Sequence, residues 1–179
     1  MNQHEKLKNI KAVIFDAHGV FFGEYIYFNP EHGEMLRKRS HVDGQGISLI
    51  RDAGIKVGFE NGADPFVQSF LEKFNTKLPS AASGKWDKIA PINNVDEAEA
   101  WLKENNLTWE DCAYIGDDLS GYKIMQKAGF KAAPAQAEDV VKKIADWITP
   151  RRGGDGAIRD LCNAILEAKG IDPTTLNLS

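Results

Sequence analysis

No apolar stretch in this 179-residue chain approaches the ~20 residues that a membrane-spanning helix needs. Met1–Asn9 is polar and lacks the apolar core of a secretory leader, and residues 1–10 are expected to form a flexible N-terminus. Basic residues are also scarce, with 22 Lys and Arg against 26 Asp and Glu and a net charge of −4. Lys142, Lys143, Arg151 and Arg152 form no long basic run. Phosphate backbones are held by basic patches, so nucleic acid is not expected as a partner. Only two cysteines occur, Cys112 in a strand-like and Cys162 in a helix-like context. That is too few for a disulfide framework, and they read as buried free thiols in a reducing cytoplasm. The chain has no internal repeat and no low-complexity segment.

What is present is an alternation of strand-like and helix-like runs. A hydrophobic content of 42% with 27% charged residues fits one soluble domain spanning 1–179. Ala12-Val-Ile-Phe15 and Cys112-Ala-Tyr-Ile115 are short apolar runs without helical periodicity, as in buried parallel strands. Ile55–Phe59 and Gly129–Ala133 read the same way. Helical patterns occupy 64–74, 96–106, 119–128, 138–146 and 155–168, and Asp43 reads as the cap of a helix running to Ala53. Tyr25–Phe28 and Glu34–Arg39, separated by Asn29-Pro-Glu-His-Gly33, predict a hairpin within a flap over 21–39. The fold expected is α/β, a single-domain Rossmann-like parallel sheet with helices on both faces and a small β-hairpin flap.

Chemistry gathers at strand ends. Asp16 closes the first apolar run and is followed by His18 and Gly19; Gly116-Asp117-Asp118 closes the run beginning at Cys112. Carboxyl ends of parallel strands are where open α/β sheets bind ligands. Clustered carboxylates repel one another unless a cation joins them, and hard oxygen ligands suit Mg2+. Gly84-Lys-Trp-Asp-Lys-Ile89 lies between the two strands and offers a lysine to neutralise a phosphate. Read singly, each Asp is equally a strand-end or helix cap, and each Lys a solvated loop residue.

In that order, an Asp nucleophile, a Lys and a late Gly-Asp-Asp resemble the haloacid dehalogenase superfamily. More narrowly, the chain is similar to its small, capless 3-deoxy-D-manno-octulosonate 8-phosphate phosphatase group. The likeness runs from about Lys11 to Gly170. It includes Val42-Asp-Gly-Gln-Gly-Ile47, Asp52-Ala-Gly-Ile-Lys-Val57, Tyr114-Ile-Gly-Asp-Asp-Leu119 and Gly153-Gly-Asp-Gly-Ala-Ile-Arg159. The resemblance implies Mg2+-dependent hydrolysis of a small phosphorylated metabolite, a sugar or sugar acid, in a cytoplasmic homotetramer whose flap packs between subunits. It implies that Asp16 attacks phosphorus, that Asp16, Asp117 and the backbone carbonyl of His18 hold the metal with Asp118 beside them, and that Lys88 is the loop lysine. Asn61 and Gly62 then stand at the phosphate, and Arg159 near the substrate.

Three positions depart from the pattern. His18 stands where the group carries an acid/base Asp, Asn61 where it has Ser or Thr, and Ala63 where it has Arg. Imidazole can serve as acid and base, and an amide still donates a hydrogen bond. A catalytically degenerate binding or assembly module is the alternative. A receiver domain, which also phosphorylates an Asp, is rejected by chain order, because its acidic pair closes the first strand.

Overall fold

Four fully buried residues, Ala12–Phe15 (β1), run up the middle of a six-stranded, wholly parallel sheet. The computed structural model describes residues 2–61 and 63–178. After helix α1 (Gln3–Asn9) and β1, the chain makes the antiparallel hairpin β2 (Phe22–Asn29) and β3 (Gly33–Arg39). It returns through α2 (His41–Asp52) to β4 (Lys56–Glu60), then through α3 (Pro65–Glu72) and the short α4 (Pro79–Ala82) to β5 (Ala90–Ile92). The second half is α5 (Val95–Glu104), β6 (Cys112–Ile115), α6 (Tyr122–Lys127), β7 (Phe130–Ala133), α7 (Asp139–Lys142), β8 (Trp147–Ile148) and α8 (Ala157–Ala168).

The strand order is β5-β4-β1-β6-β7-β8. The chain therefore winds outward from β1 in one direction and then, from β6, in the other. Such a reversal leaves a crevice between the carboxyl ends of the two central strands. Phe15 is paired with Phe59 on one side and Ile115 on the other, so Asp16, Glu60 and Gly116 emerge at one level.

Side chains alternate between two buried layers, as the strand period of two requires. Val13, Phe15, Val57, Phe59 and Ile115 join α1, α2, α3 and α8 in one cluster. Ala12, Ile14, Cys112 and Tyr114 join α5, α6 and α7 in the other. Cys112 and Cys162 are buried free thiols on opposite faces of the sheet. Among the described residues no helix is long and apolar enough to cross a membrane.

The base of the flap is anchored in the core. Phe21 and Phe22 are buried, and Phe21 packs on Phe59 and Phe70 with ring centroids 5.2 and 4.4 Å away. Beyond that foot, Tyr25, Tyr27, Phe28 and Leu36 are each more than 60% exposed.

Several elements differ from the sequence reading. The N-terminus is not loose: Asn2 and Glu5 form a reciprocal capping box, both hydrogen bonds 2.9 Å, and α1 buries Leu7 against α8. Strands β5 and β8 were not legible, being three and two residues long. Pro91 is tolerated within β5 because that strand lies at the sheet edge. The helical pattern over 138–146 yields only four helical residues.

Asp43 caps a different helix from the one expected. Ser40 precedes α2, while the buried Asp43 carboxylate accepts from Gly156 N at 3.1 Å and Arg159 N at 2.9 Å, at the start of α8. Gly156, the residue before α8, has no side chain to do this. Asp43→Ala is expected to cost about 2–3 kcal/mol by leaving two buried donors unpaired. Asp43→Asn, which keeps one acceptor, is expected to cost less; urea unfolding of the three proteins checks both.

Candidate active site

Asp16 continues the β1 ladder by donating its N–H to the Ile115 carbonyl at 3.0 Å, which fixes its backbone at the crevice. Its side chain is 1% exposed. Oδ1 accepts from His18 N and from Asn61 Nδ2, both at 3.2 Å, whereas Oδ2 has no partner among the described residues. Burial, then the neighbouring Glu60, Asp117 and Asp118, push its carboxyl well above the ordinary range.

From the end of β6, Asp117 and Asp118 face Asp16. The three residues offer ligand oxygens that all lie within 4.8 Å of one another. Asp117 is pushed up to about 7, first by burial and then by Asp118, and its Oδ1 is a second buried, unpartnered oxygen. Asp118 is turned by the next loop: its Oδ1 accepts from Ser120 N at 2.7 Å and Ser120 Oγ at 2.6 Å. It does not cap α6, whose preceding residue is Gly121.

Gly19 makes the close approach possible. Its φ is +73°, and a Cβ there would sit 2.0 Å from Asp117 Oδ2. Gln136 Nε2 donates to the Gly19 carbonyl at 2.7 Å, and its Oε1 accepts from Gly153 N at 2.8 Å. One side chain thus ties the turn after β1 to the glycine turn before α8. Two orphaned carboxylate oxygens converging beside a third acid cost several kcal/mol unless a cation occupies the space. An all-oxygen donor set with room for waters fits Mg2+.

Glu60 does not face the phosphate position. It is buried and accepts from the Tyr114 hydroxyl, in a slot opened by Gly116 and Gly121. Burial raises its carboxyl above the ordinary range. Asn61, next in chain, adopts the left-handed conformation (φ +59°) that Asn tolerates, which turns its amide back to Asp16. Gly62, a candidate phosphate contact, lies outside the described residues.

His18 is half-buried, with Nε2 3.4 Å from Asp64 Oδ2. Asp64 Oδ1 meanwhile caps α3, accepting from Phe66 N at 2.8 Å and Val67 N at 3.2 Å. Burial and then Arg37 hold the imidazole below its ordinary value, and Asp64 opposes them. Arg37 reaches in from β3. Its side chain is 6% exposed, its guanidinium lies 5.5 Å from the Phe66 ring centroid, and Nη2 meets Glu34 at 2.5 Å. These groups line a cavity of about 640 Å³ that opens above Asp117.

Two expected site residues are not brought there. Ala90 pairs with Gly58, so Lys88 lies level with Lys56 and Ala12, at the amino edge of the sheet. That is four residues, about 13 Å, below Asp16. The ion pair between Lys56 and Asp87 (2.6 Å) marks the same edge. Past the carboxyl end of β5 stand Asn93, which accepts from Ala63 N, and Asn94, which caps α5. Arg159 packs against Gly46 of α2 and donates through Nε to Asn163 at 2.8 Å, outside the cavity. Conversely, Arg37, Asp64 and Gln136 were not singled out from sequence. Asp64-Pro65 announces a helix start, but nothing in the sequence shows what else that carboxylate faces.

The haloacid dehalogenase-like hydrolase family matches residues 59–160. The 3-deoxy-D-manno-octulosonate 8-phosphate phosphatase KdsC of Haemophilus influenzae is 32% identical over 167 residues, 93% of this chain and 88% of that protein. Two solved structures superpose closely. One is the cobalt-bound deoxy-D-mannose-octulosonate 8-phosphate phosphatase of H. influenzae (29% identity, TM-score 0.76, 92% of each chain). The other is the Moraxella catarrhalis 3-deoxy-D-manno-octulosonate 8-phosphate phosphatase with magnesium, phosphate and KDO (25% identity, TM-score 0.77, 93% of this chain and 91% of that one).

The electrostatics give a test that needs no substrate. Asp117 titrates near 7 in the fold against 3.8 for the free side chain. Between those values the folded metal-free protein holds more protons than the unfolded chain, so its stability falls as pH rises through that window. Mg2+ competes with those protons. Saturating Mg2+ is therefore expected to raise Tm by about 5–10 °C at pH 8 and by much less at pH 5, read by calorimetry. Asp117→Asn is expected to remove most of the gain.

Proposed function

Because the chain belongs to the haloacid dehalogenase-like hydrolase family, we propose that it is a Mg2+-dependent phosphomonoesterase that works through an aspartyl-phosphate on a small phosphorylated sugar or sugar acid. The observation that carries the reading is the cluster of Asp16, Asp117 and Asp118, with Asp16 Oδ2 buried and without a partner among the described residues. That oxygen attacks phosphorus, the ester P–O bond breaks, and the phosphoryl group passes to Asp16. His18 gives a proton to the departing alcohol oxygen. It then takes one from the water that attacks the same phosphorus, and phosphate leaves as Asp16 is restored.

Asp16, Asp117 and the His18 carbonyl would hold Mg2+, with Asp118 beside them, and the ion supplies charge neutralisation at the phosphoryl oxygens. Asn61 Nδ2, already directed at Asp16, donates to a phosphoryl oxygen, and Gly62 is the second expected phosphate contact. The Asp64 carboxylate, 3.4 Å from Nε2, favours the protonated imidazole. The curated relatives, named for an octulosonate phosphate, support a sugar-like leaving group. The cytoplasm, where such metabolites occur, is the expected compartment.

Asp16→Asn is expected to abolish phosphate release from a sugar-phosphate panel, and EDTA to do the same. His18→Ala is expected to lower kcat about 10²-fold on alkyl phosphates, and far less on p-nitrophenyl phosphate, whose leaving group needs no proton. His18→Asp should match or exceed the parent. Inactivity of both the parent and His18→Asp across the panel would favour the non-catalytic module instead.

We propose also that the protein is a homotetramer assembled through the flap, because its exposed Tyr25, Tyr27 and Phe28 form an apolar ribbon that a partner copy would cover. Sedimentation should show a tetramer, and Tyr25→Ser with Phe28→Ser should shift it to smaller species without lowering Tm greatly.

A further inference from the structure

The upper walls of the cavity are far more acidic than anion binding requires. Beyond Asp117 and Asp118, they carry Glu24, Glu34, Asp64 and Glu138. Two of these are matched: Glu24 by Arg152 and Glu34 by Arg37, each at 2.5 Å. Asp64 Oδ2 stands 3.4 Å from His18 Nε2. Glu138 and Asp118 have no ion pair among the described residues. Arg37 is the one Lys or Arg among the lining residues. Its Nη2 is taken by Glu34, but Nε is buried without a hydrogen-bond partner on a side chain only 6% exposed.

A carboxylate is normally received by a fork of two charged donors, and is repelled by uncompensated carboxylates. That repulsion applies here: Glu138 has no matching cation among the described residues, and the Arg37 guanidinium is already paired with Glu34. A hydroxyl fits both halves of this wall, because it can donate to Glu138 or Asp118 while accepting from Arg37 Nε. Specificity built on a repulsive element of this kind discriminates between leaving groups of the same size.

Resting on the phosphatase reading above, we propose that the mouth selects phosphomonoesters of neutral, hydroxyl-rich alcohols over sugar-acid phosphates, with Arg37 Nε donating to a leaving-group hydroxyl. Two probes isolate the effect. Glucitol 6-phosphate and 6-phosphogluconate share one carbon chain and differ at the far end, hydroxymethyl against carboxylate. Titration calorimetry on the full-length Mg2+-loaded Asp16→Asn protein measures binding without turnover. The neutral ester is expected to bind about tenfold more tightly or better. Arg37→Gln is expected to weaken the neutral ester about tenfold, and Glu138→Gln to narrow the ratio by strengthening 6-phosphogluconate.

Equal or tighter binding of 6-phosphogluconate overturns the proposal, and so does failure of the folded protein to bind either ester. Release of phosphate from p-nitrophenyl phosphate by the unmutated protein is scored separately. A protein that hydrolyses it but favours the acid keeps the phosphatase reading and loses this one. A protein that keeps the binding ratio but hydrolyses nothing does the reverse.

Discussion

Everything in this molecule is arranged around an unfavourable act, the burial of carboxylates side by side where β1 and β6 end. A parallel sheet that reverses its winding at those two strands leaves a crevice there, and the register puts Asp16 level with Gly116 so that Asp117 and Asp118 follow directly. The three ligand oxygens gather within 4.8 Å while two buried oxygens go without partners. Holding Asp117 at about 7 instead of 3.8 costs the metal-free protein ~4 kcal/mol at alkaline pH, a large share of what a domain has to spare. The rest of the fold must hold the acids together against that cost.

It does so with glycine and amide contacts more than with charge. Gly19 removes the side chain that would collide with Asp117, and Gln136 bonds the Gly19 carbonyl and Gly153 N at once. A cation in either role would neutralise the cluster and weaken its hold on a metal. Neutral amides position the carboxylates and leave their charge available. The neighbouring Glu60 is handled differently, its carboxylate bonded to the Tyr114 hydroxyl on the far layer of the sheet while its charge still acts on Asp16.

What the sequence made legible follows from how much local pattern each element carries. Ala12–Phe15 and Cys112–Ile115 are unbroken apolar runs ending in acids, so the central strands and their carboxylates could be read directly. Asn29-Pro-Glu-His-Gly33 carries enough turn chemistry to give the hairpin. The edge strand Ala90–Ile92 is three residues long and contains a proline, and no periodicity can mark it. Missing it had a consequence for the site. With no strand after Lys88, that lysine read as a loop residue free to reach Asp16; with the strand in place, it lies at the opposite edge. Asp43 is a similar case, since a cap signal in sequence shows that a helix start is near but not which one the carboxylate will serve.

The displaced lysine changes how charge is distributed around the phosphate position. With Lys88 at the amino edge, the Lys or Arg side chain that lines the cavity is Arg37, carried by a hairpin anchored by Phe21 and Phe22 and by the ion pairs Glu24–Arg152 and Lys38–Asp155. The bonds of Arg37 are local, one to Glu34 on its own strand and a stacking contact with Phe66 at the start of α3. Its position is therefore set by the hairpin and α3 rather than by the sheet. Asp16, Asp117 and Asp118 follow the ends of β1 and β6, while Arg37, Glu24 and Glu34 sit on the flap. On the proposed reading, positioning of the phosphoryl group and recognition of the alcohol are divided between two parts of the chain. A substitution in the flap can retune the second while leaving the first intact, because the groups in each share few contacts. His18 lies at the boundary between them: its backbone N–H serves Asp16, and its ring faces Asp64 and Arg37.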